Sequence, residues 1–373
     1  MKKVDDLIIG AGIFGVYAAL YLARQGRSVL LLEAEKQPMS RASVVNQARL
    51  HAGYHYPRSI GTARLSDEYR MRFMEEHASC MNGKFSHYYA LDEYQSFTDA
   101  EQFQRFAQYL NLKCEEVALP GFLKGDRLKA VFLTEEISFD PLALREYYLS
   151  KLNTESRIEL LLNNSVTSVE AEGSHWKLEL KDRETVLATR VVNASYAGTN
   201  GVHQMFGLPL MDLTFELSEV CLFPSGNLNG LGLTVMDGPF CSTMPYGNSG
   251  LHSLTSVLYT HHAIAKGDFP EFNCQLGNHN CLPEQPDDCN ICSVKPSSSS
   301  FEKMKQQLSL YVKDDFLPES GTSKFAIKTK LKSSQIDDGR PTQIGLLHEN
   351  PPFYCIFAGK INAIYEIEKV LNQ

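Results

Sequence analysis

Residues 4–57 constrain this chain more than any other stretch. An apolar run, Leu7-Ile8-Ile9, feeds Gly10-Ala11-Gly12-Ile13-Phe14-Gly15, then the helix-patterned VYAALYLARQG, then a second apolar run from Ser28 to Leu32 that ends in Glu33. This order predicts a strand, a tight turn, a helix and a second strand. The three glycines have separate physical tasks: Gly10 for the turn, Gly12 for close approach of backbone N–H groups to a pyrophosphate, and Gly15 for close packing of helix on strand. A pyrophosphate then sits on the helix N-terminus, and Glu33 at the tip of the second strand can accept hydrogen bonds from a ribose. The fingerprint alone indicates a dinucleotide.

Composition narrows the class. The chain has 373 residues, 43% of them hydrophobic and 21% charged, enough for a sizeable core and two intertwined domains. A net charge of -8, from 36 Lys+Arg against 44 Asp+Glu, argues against a nucleic-acid partner or a polybasic membrane face. The apolar run near the N-terminus carries the fingerprint, so it does not read as a secretory segment, and no apolar run is long enough for an integral membrane segment. A cytoplasmic location is the expectation. Nine cysteines in such a chain suit thiols or metal ligands better than a disulfide framework.

Further along, residues 60–80 and 99–111 read as helices, the second started by Asp99, and Asp140-Pro141 opens a third. Short strands follow (IELLLN, SVTSVEAE, HWKLELK, TRVVNAS), the last ending at the small-residue turn Tyr196-Ala197-Gly198. Residues 216–260 read as an antiparallel sheet. Phe301 to Leu317 looks helical, Tyr354 to Phe357 is a buried strand, and a final helix runs from Lys360 to Leu371.

The loop after Glu33 carries a more specific signal. Asn46, His51, Gly53 and Tyr56 near a proline resemble the second-strand loop of L-2-hydroxyglutarate dehydrogenases, within the D-amino-acid-oxidase-like flavoprotein superfamily. The resemblance extends through Val191-Val192-Asn193-Ala194, Gly339-Arg340-Pro341 and the C-terminal strand, glycine and helix. It departs at Ala48, where those enzymes place a glycine, and between Asn273 and Pro296, where nothing matches.

The resemblance implies an α/β (α+β overall) chain with a Rossmann-like FAD-binding domain (1–80, 137–215 and 322–373). A discontinuous antiparallel-sheet substrate domain (81–136 and 216–321) would carry a Cys-rich insertion at 273–296. It implies FAD held by Gly10, Gly12, Ile13, Phe14, Gly15, Glu33, Ala34, Arg41, Ser43, Asn46, Gln47, Val166, Ala194, Gly198, Gly359, Lys360, Ile361 and Asn362. The Gly359-Lys360 turn would set helix-start N–H groups, with Lys360, at the flavin pyrimidine edge, where they would stabilise negative charge.

Arg340 resembles the arginine that forks onto a substrate carboxylate in glycine oxidase and D-amino-acid oxidase, although one residue of that element is missing; a surface-turn arginine is the plain alternative. His51 is the first candidate for chemistry at the flavin, since oxidation of a 2-hydroxy acid requires removal of the hydroxyl proton. A covalent flavin tether, as in dimethylglycine dehydrogenase, or a structural histidine are its alternatives. His252, in LHSLTSV, is a second candidate base, or a histidine facing solvent. His261 and His262 are adjacent on a strand and must point to opposite faces. Cys274, Cys281, Cys289 and Cys292 have the composition of a structural zinc site, with free thiols or disulfides as alternatives.

The expected function is therefore FAD-dependent oxidation of a C–H next to a hydroxyl or amine on a small carboxylate-bearing substrate, with the electron acceptor open. The 2-hydroxy acid is favoured over an amine or amino acid, and a flavin-bound protein without turnover is the alternative from another class.

Overall fold

The computed structural model describes residues 1–272, 275, 299–332 and 342–372. Its first layer is built around β1 (Lys2–Ile9), α1 (Ile13–Arg24) and β2 (Val29–Leu32). Strand β1 is central: Ile8 lies opposite Leu31 of β2 on one side and opposite Val192 of strand Thr185–Asn193 on the other, both pairings parallel. Leu7 and Ile8 are wholly buried, which is why this segment reads as a continuous apolar run rather than an alternating one.

Strand Pro352–Phe357 in turn lies parallel to Thr185–Asn193. Because these four strands run the same way, their carboxyl ends share one edge of the sheet. That edge carries Gly10, Glu33, Ala194 and Gly359, residues distant in sequence, and it is where ligands bind in open α/β sheets. Helix α1 covers one face and packs Val16, Ala19 and Leu20 with Leu144 and Tyr148 of helix Pro141–Thr154 and with Ile364 and Ile367 near the C-terminus.

The second sheet has nine strands among the described residues, antiparallel except for one parallel pair, Ser86–Asp92 with Leu231–Met236. One face is apolar: Leu233, Cys241 and Leu254 pack against Phe301, Met304 and Leu308 of helix Phe301–Leu308. The opposite face presents Tyr89, Thr234, Ser242 and Thr255 toward the loop that leaves β2, which includes β3 (Arg49–Leu50). Strand β3 pairs with Ile137–Phe139, which pairs with Met81–Asn82, a small third sheet at the junction of the two larger ones.

Local sequence signals explain several boundaries. Asp99 forms a reciprocal capping box with Gln102, and Asp140 accepts from the Leu142 and Ala143 amides at 3.0 Å each ahead of a helix that begins with Pro141. Other boundaries differ from the sequence reading. Residues 60–80 form two helices, α2 (Ile60–Asp67) and α3 (Arg70–Glu76), broken at Tyr69, whose φ is +60°. The Asn362 side chain donates to the Ser66 and Glu68 carbonyls and closes the end of α2. The helix from Phe301 ends at Leu308 instead of Leu317, and the final helix begins as a 3-10 turn, Ile361–Tyr365, before Glu366–Leu371.

Strand Thr322–Leu331, expected with the first layer, pairs along its whole length with Leu213–Pro224 in the nine-stranded sheet. The chain returns to the first layer only at Gln343–Glu349.

Candidate functional site

The turn after β1 is shaped by steric limits that only glycine meets. Gly10 has φ +100°, and a side chain there would come within 2.8 Å of the Ala194 carbonyl. A Cβ at Gly15 would lie 1.9 Å from the Gly10 carbonyl oxygen, so α1 can start this close to β1 only without one. The helix start has no side-chain cap at Gly12 and no acidic residue in its first turn, which leaves an electropositive terminus for an anion. Ser43 reaches over it, its hydroxyl accepting from the Ile13 amide at 3.0 Å.

Glu33 ends β2 with its carboxylate accepting from the Ala11 and Glu35 amides, both at 2.9 Å, while its carbonyl accepts from Asn164. Those bonds fix the acid at the carboxyl edge and leave lone pairs for a ribose. Ala34 beside it is exposed, and buried Val166 starts the strand that follows Asn164. Ala194 donates to the Ile9 carbonyl, and Gly198 closes the next turn on Ser195. Together these groups form a cradle that suits FAD: a glycine-only turn, a helix start with no acidic side chain on it and a carboxylate, all on one sheet edge.

The rest of the β2 loop behaves differently from a simple ligand-contact list. Arg41 pairs with Glu35. Asn46 ties its own loop, donating to the Ala42 and Ser43 carbonyls and accepting from Ala48 at 2.7 Å. Gln47 crosses to the second sheet and donates to Thr255 at 3.0 Å. Ala48 itself has φ +56°, the left-handed region. A glycine would hold that conformation at less cost than an alanine.

The loop then delivers His51, half-buried, into a cluster of rings: His55 and Tyr56 each lie 5.6 Å from it between ring centroids. Lys360, from the far end of the chain, reaches the same place with its ammonium 4.3 Å from the Tyr56 ring centre. Two residues expected at the site from separate motifs are thus brought to one aromatic ring.

Lys360 is also held from a second direction. Its ammonium donates to the Thr62 carbonyl and to Ser66 on α2, so its charge ties the C-terminal turn to that helix. Ile361 follows as the first residue of the 3-10 turn, and Asn362 is engaged on the end of α2.

His252 is corrected outright as a candidate base. It is wholly buried, and its two ring nitrogens are taken by the Ser225 hydroxyl and the Leu231 carbonyl, each at 2.8 Å. Burial lowers its titration range, and the ring holds neighbouring segments together instead of facing solvent or a substrate. Adjacent His261 and His262 point apart: Nδ1 of His261 is 2.9 Å from the Ser218 hydroxyl, and Nε2 of His262 is 2.6 Å from the Glu219 carboxylate.

Arg340 and all four cysteines, Cys274, Cys281, Cys289 and Cys292, lie outside the described residues. Among the described residues no group of three or more metal-capable side chains comes together.

Sequence reasoning passed over His55 and Arg49. His55 stood four residues beyond His51 in the same loop, a spacing that invited attention. Arg49 gave no signal, because its burial depends on the second sheet.

Comparison with known proteins decides the family. The model of DAO, the FAD dependent oxidoreductase family, matches residues 5–251. The chain belongs to this family.

Among curated proteins it is similar to the FAD-dependent monooxygenase FPY4 of Fusarium mangiferae, at 24% identity over 256 residues, 68% of this chain and 64% of that protein. A shorter match, 39% over 56 residues, is to the mitochondrial L-2-hydroxyglutarate dehydrogenase of Arabidopsis thaliana, covering 15% of this chain and 12% of that one. The chain therefore spans less than two thirds of the length of either relative. Among solved structures the fold is similar to glycine oxidase from Geobacillus kaustophilus, with a TM-score of 0.71 at 15% identity over 98% of this chain and 92% of that one. Among the described residues, no helix of this DAO-family chain is long and apolar enough to cross a membrane.

Proposed function

We propose that this chain oxidises a C–H bond next to a hydroxyl on a small carboxylate-bearing substrate. FAD, when bound, supplies the two-electron acceptor for the hydride. His51 takes the hydroxyl proton, and Arg340 orients the carboxylate through its planar pair of donors. The observation that carries this reading is the path of one loop. It reaches the α1 start through Ser43, docks on the polar face of the second sheet through Gln47, and carries half-buried His51 four residues further on, beside the Tyr56 ring that Lys360 also meets.

Anaerobic mixing of the holoprotein with L-2-hydroxy acids, amino acids and secondary amines, while flavin absorbance is followed, tests the assignment. Bleaching by a hydroxy acid that is abolished in His51→Asn supports it; bleaching only by amines, little changed in that variant, assigns the second reading. That reading, an amine or amino-acid oxidase, is favoured by the likeness of the fold to glycine oxidase. A neutral amine needs no strong base to lose hydride. We further propose structural zinc at Cys274, Cys281, Cys289 and Cys292, and a metal content well below one per chain would refute it.

A further inference from the structure

Two residues before His51, Arg49 enters a polar network that the site described above does not use. Arg49 is 5% exposed, Tyr89 wholly buried and Glu136 2% exposed. The Arg49 guanidinium donates to Thr234 at 2.8 Å, to Ser242 at 2.5 Å and to the Tyr89 hydroxyl at 3.3 Å, and packs its Nε on the Met244 sulfur. All four partners are neutral. A guanidinium withdrawn from water is costly unless an anion compensates it, and Glu136 lies one phenol away, with Tyr89 donating to its carboxylate at 2.6 Å. Tyr89 therefore accepts from the cation and donates to the anion, and the three side chains form one bridge from β3 into the second sheet.

The bridge grips the segment that carries His51. Arg49 precedes the histidine by two residues in a strand whose register is set by Ser138. Burial pushes the Glu136 carboxyl up, while the Arg49 charge and the Tyr89 bond draw it back. Arg70 also bears on Glu136, and Arg49 and His55 both bear on buried His87, whose Nε2 is 2.9 Å from Thr234. The titratable rings beside His51 are His55 and Tyr56 on its own loop, with Lys360 on the Tyr56 ring, while Arg49, two residues before it, enters the bridge with Tyr89 and Glu136, next to buried His87 on Thr234.

We propose that Arg49, Tyr89 and Glu136 are positioning residues for His51: the buried bridge locks β3 to the second sheet and thereby aims the imidazole. This deepens the assignment of His51 as the base and rests on it. Surface loops aim side chains loosely unless their supports are fixed, and misplacement by a fraction of an ångström is felt in rate.

The test compares holoprotein variants Tyr89→Phe, Glu136→Leu and Glu136→Gln with the parent. The Tyr89–Glu136 hydrogen bond is broken in the first two and kept in the third, whose amide oxygen still accepts from Tyr89 although the charge is removed. With the hydroxy acid that bleaches the parent, the first two should lose about 10-fold or more in flavin reduction with KM changed less than about 3-fold. Their pH profiles should also move, and Glu136→Gln should recover most of the rate at unchanged FAD content.

A second readout needs no substrate. The rate at which diethylpyrocarbonate modifies His51, followed by peptide mass spectrometry across pH, should change in Tyr89→Phe and Glu136→Leu and return toward the parent in Glu136→Gln. If no hydroxy acid bleaches the parent, the assignment of the base fails while this readout still judges the bridge. Profiles identical in all four proteins, or a Glu136→Gln variant no better than Glu136→Leu, would overturn the proposal.

Discussion

The Lys360 ammonium stands 4.3 Å from the centre of the Tyr56 ring while donating to Thr62 and Ser66. One buried cation therefore joins the last turn of the chain, the second helix and the histidine loop. Replacing it by methionine keeps the length and removes the donors. Lys360→Met should destabilise the holoprotein by about 2 kcal/mol, since bonds from a charged donor and a cation–π contact are lost together. Urea unfolding followed by fluorescence checks this; an unchanged midpoint would show that the contacts contribute nothing.

The turn at the cofactor cradle tolerates no side chain at its third glycine. In Gly15→Ala the new methyl would meet the Gly10 carbonyl at 1.9 Å, so α1 must move off β1. The variant should purify with less than about a tenth of the parent's flavin per chain, because the helix start and the turn amides no longer converge on the pyrophosphate. The ratio of visible to ultraviolet absorbance measures it directly.

Ala48 holds a left-handed backbone at φ +56°, a conformation that costs an alanine about 1 kcal/mol or more and a glycine almost nothing. Glycine pays part of that back through greater freedom of the unfolded chain. Ala48→Gly should raise stability by about 0.5 kcal/mol, and a loss of stability in denaturant titration would contradict the argument.

Glu219 gives the molecule an acid-sensitive clasp. Burial pushes its carboxyl up, but bonds from His262, Ser299, Ser323 and the Ser300 amide outweigh this and bring it to about 2. Its value in the folded protein is thus depressed below the ordinary 4.5. The sign follows: the bonds contribute fully above about pH 4.5, where the unfolded carboxyl is ionised, and are lost as pH falls toward 2. Thermal unfolding between pH 6 and 3 should therefore show a fall in Tm for the parent that is shallower in Glu219→Gln, which starts lower. Parallel curves would refute the role.

Much of the cofactor half was legible because its rules are local. Gly15 is demanded by its contact with Gly10 within one β-α-β unit and Gly10 by its own φ of +100°, and Asp99 and Asp140 cap helices using the residues that follow them. The histidines were less legible. His51 and His252 both stood in plausible segments, and alternation could not tell a ring facing a ligand from one holding strands together. Only the pairing of Leu251–Ser256 between two neighbours showed that both nitrogens of His252 are spent inside the sheet. Lys360 was readable as a residue of the C-terminal turn, but its attachment to α2 depends on where that helix packs.

The sequence by itself determined the β-α-β unit with its glycine turn and the flavin class, since glycine spacing and loop motif are properties of short contiguous segments. Tertiary structure alone decided that Thr322–Leu331 joins the second sheet, that Arg49 and Glu136 meet through Tyr89 in the interior, and that Tyr56 lies between His51 and Lys360. The physical reason is that backbone pairing and burial of charge are settled between segments far apart in the chain, where no local period or propensity carries the information.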